Sequence, residues 1–243
     1  MQFHPNIHAV ATAVPTNCLK QADVKAWARR QFENTSSKTP AHVERLMGAF
    51  DNAGIETHYS CVPLDWYDTR PGWREKNRLY LQHASALAAD AAARCLQNAG
   101  KTADEIDCLI SVSTSGIATP SLDARLLTDL GMRADVLRLP VFGLGCAGGV
   151  MGLARAADMA RAEPGRLVLL IVVEFCGLTF RSSDQSKSNI VAIALFGDGA
   201  AAVLLSVPAD RREAKLPMLS GWGEHTWPDS FSVMLRHGVV GRR

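Results

Sequence analysis

The stretch "RLPVFGLGCAGGVMGLARAADMAR", residues 138–161, decides the fold. It opens as an apolar run ending near Phe142 and closes as small apolar residues at helical spacing. Between the two, Cys146 sits among five glycines. A strand, a sharp turn and a helix make the unit from which parallel sheets are built. The same rhythm continues on both sides: "DCLISVSTS" (107–115) reads as a strand, "SLDARLLTDLG" (121–131) as a helix, "VLRLPVF" (136–142) as a strand, residues 148–162 as a helix and "RLVLLIVVEF" (166–175) as a strand. The strands are almost continuously apolar, as expected when helices cover both faces of a mostly parallel sheet, so the class is α/β.

Working outward, residues 7–14 predict a strand, Pro15 and Thr16 a turn, residues 21–32 an amphipathic helix and residues 41–50 another. A Pro- and aromatic-containing excursion, "CVPLDWYDTRPGW" (61–73), precedes an Ala-rich helix over 74–98, with Gly100 where a C-terminal cap belongs. Downstream, "NIVAIALF" (189–196) and "AAAVLLS" (200–206) read as two further strands. The joining "GDGA" favours a hairpin, with adjacent strands as the alternative. After Pro208 come a charged linker (209–215), a possible strand and turn (216–230) and an aperiodic tail (231–243). The predicted division is therefore a domain over 1–207, followed by a linker and the start of a second domain over 208–243.

With 243 residues, 47% of them hydrophobic, the chain can bury one large core or two small ones. No apolar stretch approaches the roughly 20 residues of a membrane span. The first residues lack the pattern of a secretory signal, so the expectation is a cytoplasmic protein with no membrane partner. The 26 basic and 24 acidic residues are scattered, for a net charge of +2, which argues against a nucleic-acid partner. Six cysteines without a CxxC pair or a closely spaced Cys/His set predict neither a disulfide framework nor a metal site.

Cys146 is the candidate nucleophile. A thiol at a helix N-terminus meets unpaired backbone N–H groups and the positive end of the helix dipole, both favouring thiolate. The glycines permit a sharp strand-to-helix turn and close approach of a substrate. The alternative is a small residue in a crowded junction. Cys95 and Cys108 fall in a helix and a strand, and Cys18 and Cys61 in loops.

"GLGCAGG" (143–149), "STSGIATPSLD" (113–123), "VVEFCGLTFRSSD" (172–184) and "ALFGDGAAAVLLS" (194–206), in this order, resemble the chalcone and stilbene synthase family, the type III polyketide synthases of the thiolase superfamily. The resemblance runs from about residue 3 to about residue 233. It implies a thiolase-like α/β fold whose amino-terminal half carries a mixed, mostly parallel sheet between helices, with the second half largely missing. It further implies a homodimeric acyltransferase that moves an acyl group from acyl-CoA to Cys146 and extends it with malonyl-CoA, using no further cofactor. Phe196 matches the gatekeeper between access tunnel and cavity. Thr114, Thr119, Cys176, Leu178 and Thr179 match the cavity lining.

The family's cysteine works with a histidine and an asparagine of the carboxy-terminal half, and neither His225 nor His237 stands in their context. The tail departs from relatives after "SFSVM" (230–234), as a frameshift, an early stop or an assembly error would produce, so a truncated form with impaired condensation is implied. Near the family's coenzyme A contacts, Arg45 is the only arginine of residues 43–59, and Thr57 and His58 replace a basic pair. Phosphate anchoring there is expected to be weak. Two other readings remain: a ketoacyl-ACP synthase of the third kind, and a non-catalytic pseudoenzyme or fragment that dimerises with an intact relative.

Overall fold

The structure is a computed structural model and describes residues 4–35, 40–184, 186–208 and 216–229. The linker at 209–215 and the tail from residue 230, with His237, lie outside the described residues. Strands β1 (Asn6–Ala13), β4 (Cys108–Ser113), β5 (Leu137–Phe142), β6 (Val168–Phe175) and β7 (Asp198–Ser206) form one sheet in the order β1-β7-β6-β4-β5. β4 pairs in parallel with β5 and β6, while β7 pairs antiparallel with β6 and β1. The sheet is thus mixed, and its parallel part is the βαβ region around Cys146.

Alternation along the strands divides the sheet into two apolar faces. Leu109, Leu169, Ile171, Ala202 and Leu204 join the larger core with helix α3 (Trp73–Ala99), whose Ala84, Ala88, Ala91 and Ala92 are all fully buried. Small side chains let α3 cross the sheet closely, and Gly100 ends it in the left-handed conformation, as predicted. Ile110, Val112, Val168, Leu170 and Leu205 face the other way, toward α5 (Gly148–Ala162). There Gly148 and Gly152, one helical turn apart, lie against Val112; a Cβ on either would stand 2.8 Å from its methyl groups. Two of the five glycines in the opening stretch therefore bring the helix down onto β4.

Helices α1 (Gln21–Thr35) and α2 (Pro40–Asn52) overlap the predicted spans, and α4 (Leu122–Leu130) follows β4. A second, two-stranded sheet joins β2 (Asn17–Lys20) to β3 (Thr57–Ser60), so Cys18 lies on a strand rather than in a loop. The segment at 216–219 returns to β1, with Ile7 N–H donating to Pro217 O (2.8 Å) and Leu219 N–H to Pro5 O (2.9 Å).

The hairpin expected over 189–206 is not formed. Its first half is a helix, α6 (Lys187–Leu195), capped by the Ser186 hydroxyl accepting from Asn189 N–H (3.2 Å). A short apolar run has no period to separate strand from buried helix, and here packing against α1 and α2 buries Ile190, Ala192 and Ala194. β7 then takes a central place between β1 and β6, away from its sequence neighbour. Among the described residues, no helix is long and apolar enough to cross a membrane.

Candidate active site

The parallel strands β5, β4 and β6 end at one edge of the sheet, and the residues that follow them form the site. Gly143 and Gly145 adopt φ of +86° and +54° and turn the chain out of β5. Cys146 lies in the single 3-10 turn Gly145–Ala147 that leads into α5, and it is exposed. The predicted strand, turn, thiol and helix are all present. The predicted ring of unpaired amides is thinner than expected, because Ala147 N–H donates to Leu144 O (3.2 Å) and Gly148 N–H to Gly145 O.

The turn is tied to its neighbours. Gly145 N–H donates to the Thr114 hydroxyl (3.1 Å), and the Thr114 and Ser115 amides donate to the two carboxylate oxygens of Glu174 (2.8 and 2.9 Å). Phe175 N–H donates in turn to the Ser115 hydroxyl (2.7 Å). Glu174 was not singled out in the sequence, although a lone acid closing an apolar strand was a visible signal. Burial raises its pKa above the usual carboxylate range, while the bonds from Ser115 and Thr114 pull it back.

Phe196 lies one residue beyond α6 and is 39% exposed. With Cys176 and Thr179 from the turn after β6, it lines a cavity of about 70 Å³, closed on its other sides by Trp27, Tyr67 and Phe180 among others. Leu178 is placed elsewhere, in the core at 2% exposure, and Thr119 is exposed on the loop that Asn77 pins through Ile117. The structure thus ties Thr114 to Gly145, next to Cys146 in the same turn, and places Cys176 and Thr179 with Phe196 around one cavity. It brings neither Leu178 nor Thr119 to that cavity.

Behind the cavity, Asp198 accepts from Cys61 N–H and Gly177 N–H (2.9 Å each), and burial pushes its pKa up to about 6. The hydroxyl of Tyr67, itself bonded to Ser60 (3.0 Å), would clash with a Cβ on Gly177, so a larger residue there would have to displace Tyr67. Between α2 and α6 a cleft of about 370 Å³ carries Arg45 and Lys187. Among the described residues, no group of three or more His, Cys, Asp or Glu side chains is placed to hold a metal ion.

The structure thus shows a strand-to-helix turn that exposes the Cys146 thiol and a small cavity lined by Phe196, Cys176 and Thr179. The sequence pattern of chalcone and stilbene synthases, N-terminal domain, matches residues 4–209. The chain belongs to the chalcone and stilbene synthase family. Among relatives of this family, the 1,3,6,8-tetrahydroxynaphthalene synthase of Streptomyces peucetius subsp. caesius is 39% identical over 240 residues, covering 98% of this chain and 62% of that protein. The putative chalcone synthase of Bacillus subtilis (strain 168) is 35% identical over 218 residues, covering 87% and 59%. The crystal structure of the 1,3,6,8-tetrahydroxynaphthalene synthase of Streptomyces coelicolor A3(2), a bacterial type III polyketide synthase, superposes with a TM-score of 0.78 at 27% identity, over 84% of this chain and 57% of that one. The chain thus spans about three fifths of the length of these family members.

Proposed function

We propose that the protein is an acyltransferase of the type III polyketide synthase class that accepts an acyl group from acyl-CoA on Cys146. The carrying observation is the exposed thiol at the start of α5, on a turn fixed by Thr114 and Glu174. In this reading the Cys146 thiolate attacks the thioester carbonyl, the C–S bond to coenzyme A breaks and coenzyme A leaves as the thiol after protonation. The two positive side chains of the α2–α6 cleft, Arg45 and Lys187, suit the phosphates of coenzyme A, and Lys187 adds a cation that the sequence had not suggested. Phe196, with Cys176 and Thr179, would shape the acyl and malonyl space. The exposed Leu137 and Phe142 on β5, an edge strand among the described residues, suit a contact with a second copy in the cytoplasm.

Extension with malonyl-CoA needs donors for the enolate and oxyanion, and removing one such donor typically costs roughly 100- to 1,000-fold in rate. Four of the described histidines are engaged with other residues: His8 bonds Ser206, His58 bonds Gln21 and Phe196, His83 packs near Phe175 and His225 near Trp227. The polypeptide of residues 1–243, incubated with an acyl-CoA and radiolabelled malonyl-CoA, should release about one equivalent of free coenzyme A without forming polyketide. Cys146→Ser should release none. Robust polyketide formation would show that another group supplies the donors, and no coenzyme A release at all would remove the reading.

A further inference from the structure

The gate residue is held by a chain of hydrogen bonds that begins on α1. The two hydrogens of the Gln21 amide go to Ala194 O on α6 (3.1 Å) and Phe50 O on α2 (3.4 Å), which leaves the Gln21 carbonyl oxygen facing Nε2 of His58. Nδ1 of the same ring lies 3.0 Å from the carbonyl oxygen of Phe196. Both partners of the imidazole are therefore acceptors that carry no proton. A neutral ring has one N–H and one lone pair, so either tautomer bonds one oxygen and sets its lone pair against the other. Turning the Gln21 amide round would only move the conflict to Ala194 O and Phe50 O.

We propose that Gln21 and His58 are positioning residues for Phe196, and that their chain of hydrogen bonds closes only when the His58 imidazole carries a proton on both ring nitrogens. Gln21 gathers α1, α2 and α6, the last two being the walls of the Arg45–Lys187 cleft, and His58 passes that junction on to the residue at the gate. Its consequence for turnover rests on the gate reading of Phe196; the hydrogen-bond chain itself does not.

The ring is 6% exposed. Burial lowers its proton affinity, and the Phe196 carbonyl partly restores it. Around it, Leu19 is its cross-strand partner on β2. The titratable groups on β2, β3, β7 and the first five residues of α1 are Cys18, Lys20, Asp23, Lys25, Tyr59 and Asp198, with Glu56 and Cys61 flanking β3 and Tyr67 and Cys176 lining the same cavity. Lys25 is paired with Asp51, and Asp198 is held by the Cys61 and Gly177 amides. At neutral pH the chain is therefore half made, and acidification completes it.

Placing 4-fluorophenylalanine at position 196 of the full chain and following its fluorine resonance from pH 4.5 to 8 tests this without reference to turnover. The resonance should titrate with a midpoint below the ordinary histidine value of about 6.5. The titration should persist in Asp198→Asn, vanish in His58→Gln, and move upward by at least about one pH unit in Gln21→Glu, where a carboxylate replaces the neutral acceptor. Should His58→Gln fail to fold, the Gln21→Glu shift and the ring-nitrogen resonances of His58 decide. A resonance independent of pH, or a titration lost in Asp198→Asn instead, overturns the proposal. A titrating Phe196 in a protein that takes up no acyl group supports the hydrogen-bond chain and removes only the gate reading.

Discussion

Asp198 shows how a residue read from sequence as part of a turn acquires a different character once buried. "GDG" suggested only a tight connection, yet its carboxyl lies at 5% exposure between the β3 exit and the turn after β6. Its pKa is raised to about 6, above the value near 3.9 of an unfolded chain, so the native state binds the proton more readily. The stabilisation is fully present below about pH 4 and is lost as pH rises through about 6. Urea unfolding of Asp198→Asn against the parent should show a stability difference that moves in the variant's favour by roughly 2–3 kcal/mol between pH 4 and pH 7. A difference independent of pH would contradict the burial argument. Cys146 was legible for the opposite reason: its setting is local, a strand, a turn and a helix contiguous in the chain. Glu174 and His58 were not, because their partners Thr114 and Phe196 lie 60 and 138 residues away.

Elements whose pattern is self-contained were predicted well. The Ala-rich stripe and Gly100 placed α3 to within a residue at each end, and β4, β5 and β6 fell inside their predicted spans. The run 189–196 failed because its apolarity is unbroken, and only the faces of α1 and α2, distant in sequence, choose helix over strand. Packing of α5 on β4 offers a test at this scale. A Cβ on Gly152 would come within 2.8 Å of Val112 and 3.0 Å of Leu170, both in the core under the Cys146 turn. Gly152→Val should therefore destabilise the fold by about 1–3 kcal/mol, measured by urea denaturation. An unchanged midpoint would mean that α5 stands further from the sheet than described.

At the scale of the molecule, the ends of β4, β5 and β6 carry the Cys146 turn and its ties to Thr114 and Glu174, while Phe196 follows α6 just before β7 and lines the cavity with Cys176 and Thr179. The family resemblance suggests roles for Cys146 and Phe196; the structure adds the bonds among Gly145, Thr114 and Glu174 that hold the Cys146 turn. The thiols differ accordingly. Burial raises the pKa of Cys95 and Cys108, and burial with the nearby Asp198 raises that of Cys61, whereas Cys146 and Cys18 are exposed. In the proposed chemistry Cys146 is the thiol that takes the acyl group. Limiting iodoacetamide at neutral pH, with and without prior incubation with an acyl-CoA and followed by peptide mass mapping, tests this most directly. Cys146 should label first and be protected by the acyl-CoA through a hydroxylamine-labile adduct on its own peptide. First labelling of Cys18 or any other cysteine, or labelling of Cys146 that acyl-CoA does not slow, would contradict it.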